Sequence, residues 1–408
     1  MADELELRIA RDDEFAQLGE LISGAFLDDT VDEALDVERM IFEADRTHVV
    51  ADGDRLVATG GVLTREMTVP GAVVPAAHVT AVAVASTHRR RGLLRRIMTA
   101  QLEAVKSRGT EPFAVLWASE DSIYGRFGYG LSAWHVSYKI AKLETALPGE
   151  PAHGRLRQIV PKESLDELAA VYEQIRASRP GFSSRHGRWW EHLTADPKAR
   201  RRGMTALRGV LHEVDGRVDG YALWRVKGGW NETGPNGEVS VNEVAAENPQ
   251  AYAALWRFLL SIDLTRAVKY MFGALDEPLP HLVTSPSGLV ATVYPSLWLR
   301  IVDVPAALEA RRYAAPVDLV VEVADDMQPE NSGRWHLAGN ASSAKCERTD
   351  VAADLALDVR TLGAAYLGGT SLLTLAAAGW VTEHRPGALV EASTAFGWHR
   401  APATMEIF

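Results

Sequence analysis

The sequence predicts an α+β protein of two or three domains, and three observations carry that reading. At 408 residues the chain is too long for one hydrophobic core. One order of elements (strand, helix, hairpin, strand, helix, strand) occurs in residues 1–150 and again in 151–297. A third segment, 298–408, carries strands and an Ala/Leu-rich helical end near Tyr366–Ala378.

The first segment opens with an alternating strand, Leu5–Ile9, then a helix from Asp13 to Phe26 and a hairpin across Asp52-Gly53-Asp54. Val79, Ala81, Ala83 and Ala85 alternate with Thr80, Val82, Val84 and Ser86, all small or β-branched, which predicts a strand buried on both faces. Ser86-Thr87-His88 breaks the run. From Leu94 the apolar positions Ile97, Met98, Leu102 and Val105 fall three and four apart, an amphipathic helix that Gly109 stops. Arg89-Arg90-Arg91-Gly92 therefore lies where a strand turns into a helix N-terminus. Unpaired N–H groups and the helix dipole favour an anion there, and three guanidinium groups add charge-assisted contacts to phosphate. A strand (PFAVLWAS) and a Tyr-x-x-x-Gly-Tyr segment follow.

The chain holds its own control, because Arg200-Arg201-Arg202-Gly203 repeats the four letters. That copy has no strand before it and no amphipathic helix after it; it leads into a hairpin at Asp215-Gly216 and is expected to bind no phosphate. Around it the second segment gives strand LRQIV, helix SLDELAAVYEQIRA, strand EVSVNEVAA, helix PQAYAALWRFLLSI and strand KYMFG. Pro148-Gly149-Glu150-Pro151 marks the break before this segment. The third gives a helix over Pro305–Arg312, strand VDLVVEVAD, hairpin SGRWHLAG and strand DVAADLALDV.

Arg89–Leu94 resembles the signature Arg/Gln-x-x-Gly-x-Gly/Ala of GNAT acyl-coenzyme A transferases, departing from it at Leu94. Ser119-Glu120, Ile123–Gly130 (IYGRFGYG), Arg185–Trp190 (RHGRWW), Leu297–Ala307 (LWLRIVDVPAA) and an ending in Phe resemble the enhanced-intracellular-survival (Eis) branch of that family along the whole chain. The resemblance implies two tandem GNAT-like domains, the second degenerate, followed by a sterol-carrier-protein-like domain that supplies the C-terminal carboxylate. It implies an acetyl-CoA-dependent N-acetyltransferase acting on primary amines of aminoglycoside-like polyamines, by direct transfer in a ternary complex and at several positions. Val82, Ala83 and Val84 would then face the pantetheine arm. Arg90, Arg91, Gly92, Leu93, Leu94 and Arg95 would wrap the pyrophosphate, and Ser119 and Glu120 would touch the coenzyme. Tyr124 would be the proton donor and the carboxylate of Phe408 the proton acceptor. Asp28, Asp29 and Glu406 would recognise substrate amines. The family's tryptophan in the early substrate-facing helix is not evident within VDEALDVERM. A homo-oligomer, hexameric by the same resemblance, is also implied.

The chemistry is consistent with those roles. A primary amine with a pKa of about 10.4 is protonated near neutrality and needs a base before it can attack a thioester, while a departing thiolate gains from a proton donor. A terminal carboxyl, ordinarily at roughly 3.3–3.7, is a weak base unless burial raises it, and chain ends commonly fray. The ending Met405-Glu406-Ile407-Phe408 is apolar enough to dock into a core.

Composition narrows the field further. A net charge of −11 argues against nucleic acid and favours cationic substrates. The acidic start and the lack of a long apolar run predict neither a signal peptide nor a membrane segment. A single Cys346 fits a reducing cytoplasm, and the scattered histidines predict no metal. Two other readings of the function remain open: a protein lysine N-acetyltransferase, and a non-enzymatic regulator that binds acyl-CoA or lipid.

Overall fold

Alternating apolar positions become strands and three-and-four spacings become helices through most of the chain. The computed structural model describes residues 5–142, 145–149 and 153–408. Glu150 and Pro151 of the expected break, and Met1–Glu4 of the acidic start, lie outside the described residues. The first elements are β1 (Glu6–Ile9), α1 (Phe15–Ala25), α2 (Asp32–Glu38), β2 (His48–Asp52), β3 (Arg55–Val69) and β4 (Ala72–Val84). β2 and β3 form the hairpin that turns at Gly53-Asp54. α3 (Leu93–Arg108) buries Leu93, Ile97, Met98, Leu102 and Val105, each contributing roughly 1.5–3 kcal/mol of apolar burial. It ends at Gly109, whose N–H bonds Lys106 O at 3.0 Å. β5 (Phe113–Trp117), α4 (Asp121–Tyr124) and β6 (Gly130–Leu131) follow.

The next run is β7 (Trp134–Ala141), β8 (Arg155–Ile159), α5 (Leu165–Arg176), α6 (Trp189–Thr194), β9 (Arg208–Val214) and β10 (Arg217–Lys227). A short hairpin, β11 (Trp230–Asn231) with β12 (Gly234–Pro235), precedes β13 (Gly237–Ala246), α7 (Pro249–Ser261), β14 (Thr265–Gly273), α8 (Leu279–Leu282) and β15 (Leu289–Pro295). These strands form a sheet of order β15-β7-β14-β13-β10-β9-β8. α7 packs on it through Leu255, Trp256 and Leu259, against Val239 and Val241.

The remaining elements are β16 (Leu297–Ile301), α9 (Val304–Ala310), β17 (Val317–Ala324), β18 (Gly333–Gly339), β19 (Ala344–Arg348), β20 (Leu355–Asp358), α10 (Val359–Ala365), α11 (Leu372–Ala377), β21 (Val381–Glu383) and α12 (Ala388–Phe396). β16 completes the first sheet, β1-β2-β3-β4-β5-β16-β6, and β17–β21 form a third of order β19-β18-β17-β20-β21. One core cluster joins α10, α11 and α12 to the inner faces of the first and third sheets, with Phe113, Leu299, Leu362 and Tyr366 in it.

The chain partitions into two units. One holds the residues up to Ala133, Ser296–Pro402 and Ile407–Phe408; the other holds Trp134–Pro295 and Ala403–Glu406. The sheets do not follow the sequence segments: β7 pairs with β14 and β15, while β16 pairs with β5 and β6. SGRWHLAG, expected as a hairpin, is a single strand (β18), because the turns fall outside it, at Pro329–Asn331 and at Asn340–Ser343, where Asn340 Oδ1 accepts from Ser342 and Ser343. The strand expected over DVAADLALDV is confined to Leu355–Asp358; Asp358 caps α10 instead by accepting from Thr361 N–H at 2.7 Å.

Candidate active site

The site begins where β4 leaves β5. The two strands run parallel and pair at Ala77 with Ala114 and at His78 with Val115, and no further. On its other side β4 follows β3, but with a bulge: Thr80 opposes Gly61 and Ala83 opposes Thr59, so Ala81 and Val82 share one partner position. Ala81 takes the left-handed φ of 52°, a conformation that costs roughly 1–2 kcal/mol for a residue with a Cβ. Sparsely populated backbone of this kind concentrates at functional sites. Val79 is buried, but Thr80–Val82 and Val84 are only half-buried, which departs from the expected strand buried on both faces. For Thr80–Val82 the reason is the separation from β5, which opens one side to a cleft of about 280 Å³.

Val79–Val82, Leu116–Ser119, Tyr124, Phe26, Ile407 and Phe408 line that cleft. Val82, Ser119, Tyr124 and Phe408, all picked from the sequence, therefore share one cavity. Ala83 and Val84 do not line it; they pair with Thr59 and Ala58, and Val84 packs beside Leu93 and Ile97. Glu120 is exposed, at the N-cap position just before α4. Phe26, Trp117, Ile407 and His78 are the neighbours that sequence patterning missed. His78 is fully buried, with Nδ1 3.0 Å from Ala76 O and its ring 4.6 Å from that of Phe408. Its only sequence signal is a lone His in an otherwise apolar strand.

Tyr124 is 5% exposed at the end of α4. A short 3-10 turn then ends at Gly128, whose φ of 81° and approach to Arg300 (a Cβ would lie 2.8 Å from Nε) require glycine. Burial first, and the nearby Glu120 second, push the Tyr124 phenol up to about 12. The phenol is thus fully protonated at neutral pH. Tyr129 stacks edge-on at 6.0 Å behind it.

The basic turn runs from the end of β4 to α3. Arg90 and Gly92 both take left-handed φ, 61° and 80°, the kind of turn that gathers amide N–H groups around an anion. Gly92 is the N-cap and carries no side-chain acceptor, and the first helical bond runs from Arg96 N–H to Gly92 O at 3.1 Å. The N–H groups of Leu93, Leu94 and Arg95 have no partner within the helix. Arg89, Arg90, Arg91 and Arg95 are exposed, and among the described residues none has a carboxylate partner. An open helix terminus with uncommitted guanidinium groups fits a pyrophosphate. Leu94 is half-buried against the Met98–Leu102 core and leaves the turn's backbone open.

The expected amine-recognising acids divide. Asp28 and Asp29 are exposed on the loop after α1, beside Phe26 at the cleft and Leu27, whose φ is 60°. Glu406 is 5% exposed and accepts from Arg185 Nε at 2.8 Å, sharing that buried cation with Glu243. Among the described residues no group of three or more His, Cys, Asp or Glu could hold a metal, and no helix is long and apolar enough to cross a membrane. Cys346 is buried, which pushes its thiol up to about 12.

Comparison with known proteins gives three family matches in order: a GNAT acetyltransferase domain over residues 6–132, a second over 181–301, and a sterol carrier protein domain over 304–405. The chain is 38% identical over 373 residues to N-acetyltransferase Eis of Mycobacterium tuberculosis, covering 88% of each. It is 46% identical over 373 residues to an uncharacterised N-acetyltransferase of Streptomyces avermitilis, covering 91% of each. The structure of Eis1 from Mycobacterium abscessus superposes with a TM-score of 0.85 at 32% identity, over 99% of this chain and 100% of that one. A GCN5-related N-acetyltransferase from Anabaena variabilis shares the fold at a TM-score of 0.87 and 20% identity, with 99% and 100% coverage. Two tandem GNAT domains followed by a sterol-carrier-protein-like domain are the architecture of the chain.

Proposed function

The chain belongs to the Eis family of GNAT N-acetyltransferases, and from that premise we propose that it acetylates the primary amines of polyamines such as aminoglycosides, at several positions of one acceptor. GNAT acetyltransferases use acetyl-CoA, which supplies the acetyl group and a thiolate leaving group. The reading rests on one observation: Tyr124 and Phe408 line the same cleft at the parting of β4 and β5.

Leu93–Arg95 offer amide N–H groups to the pyrophosphate, while Arg90 and Arg91 add charge. Val82 presents its backbone to the arm that leads into the cleft, and Ser119 borders the arm from β5. Asp28 and Asp29 attract the ammonium groups of the acceptor. The Phe408 carboxylate takes a proton from the attacking amine. As the new C–N bond forms and the C–S bond breaks, Tyr124 gives its phenolic proton to sulfur, and solvent restores both groups. Both partners are held together for one direct transfer, so no acyl group is parked on the protein. The division into residues 1–150, 151–297 and 298–408, a homohexamer and a cytoplasmic location belong to the same proposal.

The test is release of free thiol from acetyl-CoA by the untagged protein, with and without kanamycin. Release that depends on the antibiotic and exceeds one equivalent per antibiotic is the expected result. No stimulation, with coenzyme still binding, would overturn the polyamine reading and turn attention to protein lysines.

A further inference from the structure

The turn that carries Tyr124 has little structure of its own. α4 is four residues long, too short to keep its shape as an isolated helix, and the 3-10 turn after it is shorter still. Among the described residues no hydrogen bond ties the Tyr124 hydroxyl. The aim of the ring is therefore set by the backbone that bears it and by Tyr129 behind it. That backbone has to be held from outside.

Three glycines in seven residues, Gly125, Gly128 and Gly130, show what holds it. Gly125 has an ordinary helical φ of −56°, so conformation does not call for glycine there; space does. A Cβ on it would meet the Arg360 guanidinium, 3.1 Å from Cζ and 3.3 Å from Nε and Nη1. Gly128 has Arg300 against it, whose Nη2 donates to both oxygens of Asp325 at 2.8 and 2.7 Å. A Cβ on Gly130 would run into Arg360 O and Ala364 N, so α10 lies directly on β6. Gly363 returns the contact, since its Cβ would strike Leu299 O on β16. α10 is itself fixed, capped by Asp358 and buried through Val359, Leu362, Ala364 and Ala365. Arg360 thus reaches from a rigid helix over the residue next to Tyr124.

The Arg360 guanidinium also lies over the Trp380 ring, with Cζ 4.3 Å from the ring centre. Among the described residues no carboxylate pairs with it, so packing and the aromatic face locate it. Arg360 and Trp380 both belong to the sterol-carrier-protein-like domain, and neither lines the cleft. Tyr124, Arg300, Arg360 and Trp380 all lie within the same unit.

We infer that Arg360 is a positioning residue for the proton donor: packed on Gly125 and backed by Trp380, it sets the turn that aims the Tyr124 phenol into the cleft. The inference rests on the proposed role of Tyr124. It gives the third domain a part in the reaction from within its own fold.

The experiment is a double-mutant cycle in the full chain, with kanamycin as acceptor and thiol release as the rate. Arg360→Ala is expected to lower kcat about 10-fold, with KM for the acceptor and Kd for coenzyme A within about twofold, because a small misplacement of a reacting group acts on the chemical step. In the Tyr124→Phe background the same substitution should change kcat by less than about twofold, since the donor it serves is gone. Trp380→Ala leaves Arg360 in place without its ring and should give a smaller loss, about 3-fold, that also vanishes in Tyr124→Phe. Thermal melting checks that each variant is folded. Equal losses in the two backgrounds, a loss carried by KM alone, or wild-type kcat in Arg360→Ala would overturn the inference. Wild-type kcat in Tyr124→Phe would instead remove the donor itself. A crystal structure of Arg360→Ala supplies a test free of the acceptor. The Tyr124 ring should shift relative to Tyr129, and an unmoved turn would overturn the inference.

Discussion

The two GNAT halves run through the same elements yet differ at the two places where a coenzyme would sit. In the first, β4 and β5 pair only at Ala77 with Ala114 and His78 with Val115; in the second, β13 and β14 pair over the longer stretch from Gly237 with Thr265 to Val241 with Tyr270 before they part. The helix after the parting strand also differs. α3 begins at Gly92 with no side-chain cap, whereas Asn248 caps α7 by accepting from Ala251 N–H at 2.9 Å, and Pro249 removes one donor outright. The Arg-Arg-Arg-Gly turns repeat the lesson. Arg201 is committed to Asp196 at 3.0 Å and its turn leads to a strand, while Arg89–Arg91 are uncommitted and lead to a 16-residue helix. A shared fold supplies the scaffold, but the first half leaves its helix N-terminus and the arginines before it open, whereas the second caps its helix and ties its arginine down.

Changes within the first half should break this contrast most severely. Tyr124→Phe should lower turnover about 10²–10⁴-fold while the Kd for coenzyme A stays within about twofold; wild-type turnover would remove Tyr124 as the acid. Because the phenol's pKa is raised, its proton is retained until pH approaches about 12, so turnover should show no alkaline fall attributable to Tyr124 between pH 8 and 10. Next in size is replacement of the arginines. Arg89, Arg90 and Arg91 changed together to Ala should weaken coenzyme binding about 10–100-fold and flatten its salt dependence, while the same change at Arg200, Arg201 and Arg202 should leave binding alone. Equal effects in calorimetric titrations of the two triple variants would erase the distinction. The smallest effect is expected in the second half: Asn248→Ala should cost about 1 kcal/mol, a melting temperature lower by about 2–4 °C, with unchanged coenzyme affinity.

What the sequence made legible was local. The strand, basic turn and helix from Val79 to Gly109 are set by neighbours a few residues apart, and Gly92 and Gly109 both take left-handed backbone at the helix ends. Only the whole-chain family resemblance links Tyr124 with Phe408; no spacing rule joins residues so far apart. The exchange of β7 and β16 between sheets was hidden for a related reason, since pairing across a sheet leaves no mark on the alternation of either strand. Arg185 and Glu406 are 221 positions apart, so their ion pair could not be read from the acidic residue itself. Ala81 carries a Cβ, and nothing in the alternation around it announces a left-handed residue where β4 opens.

The most direct test of the account is a crystal structure of the untagged protein with coenzyme A. The account predicts one coenzyme per chain, with its pyrophosphate on the amides of Leu93–Arg95 and its thiol end in the cleft between Tyr124 and Phe408. A coenzyme seated at Pro249, or bound clear of that cleft, would contradict it.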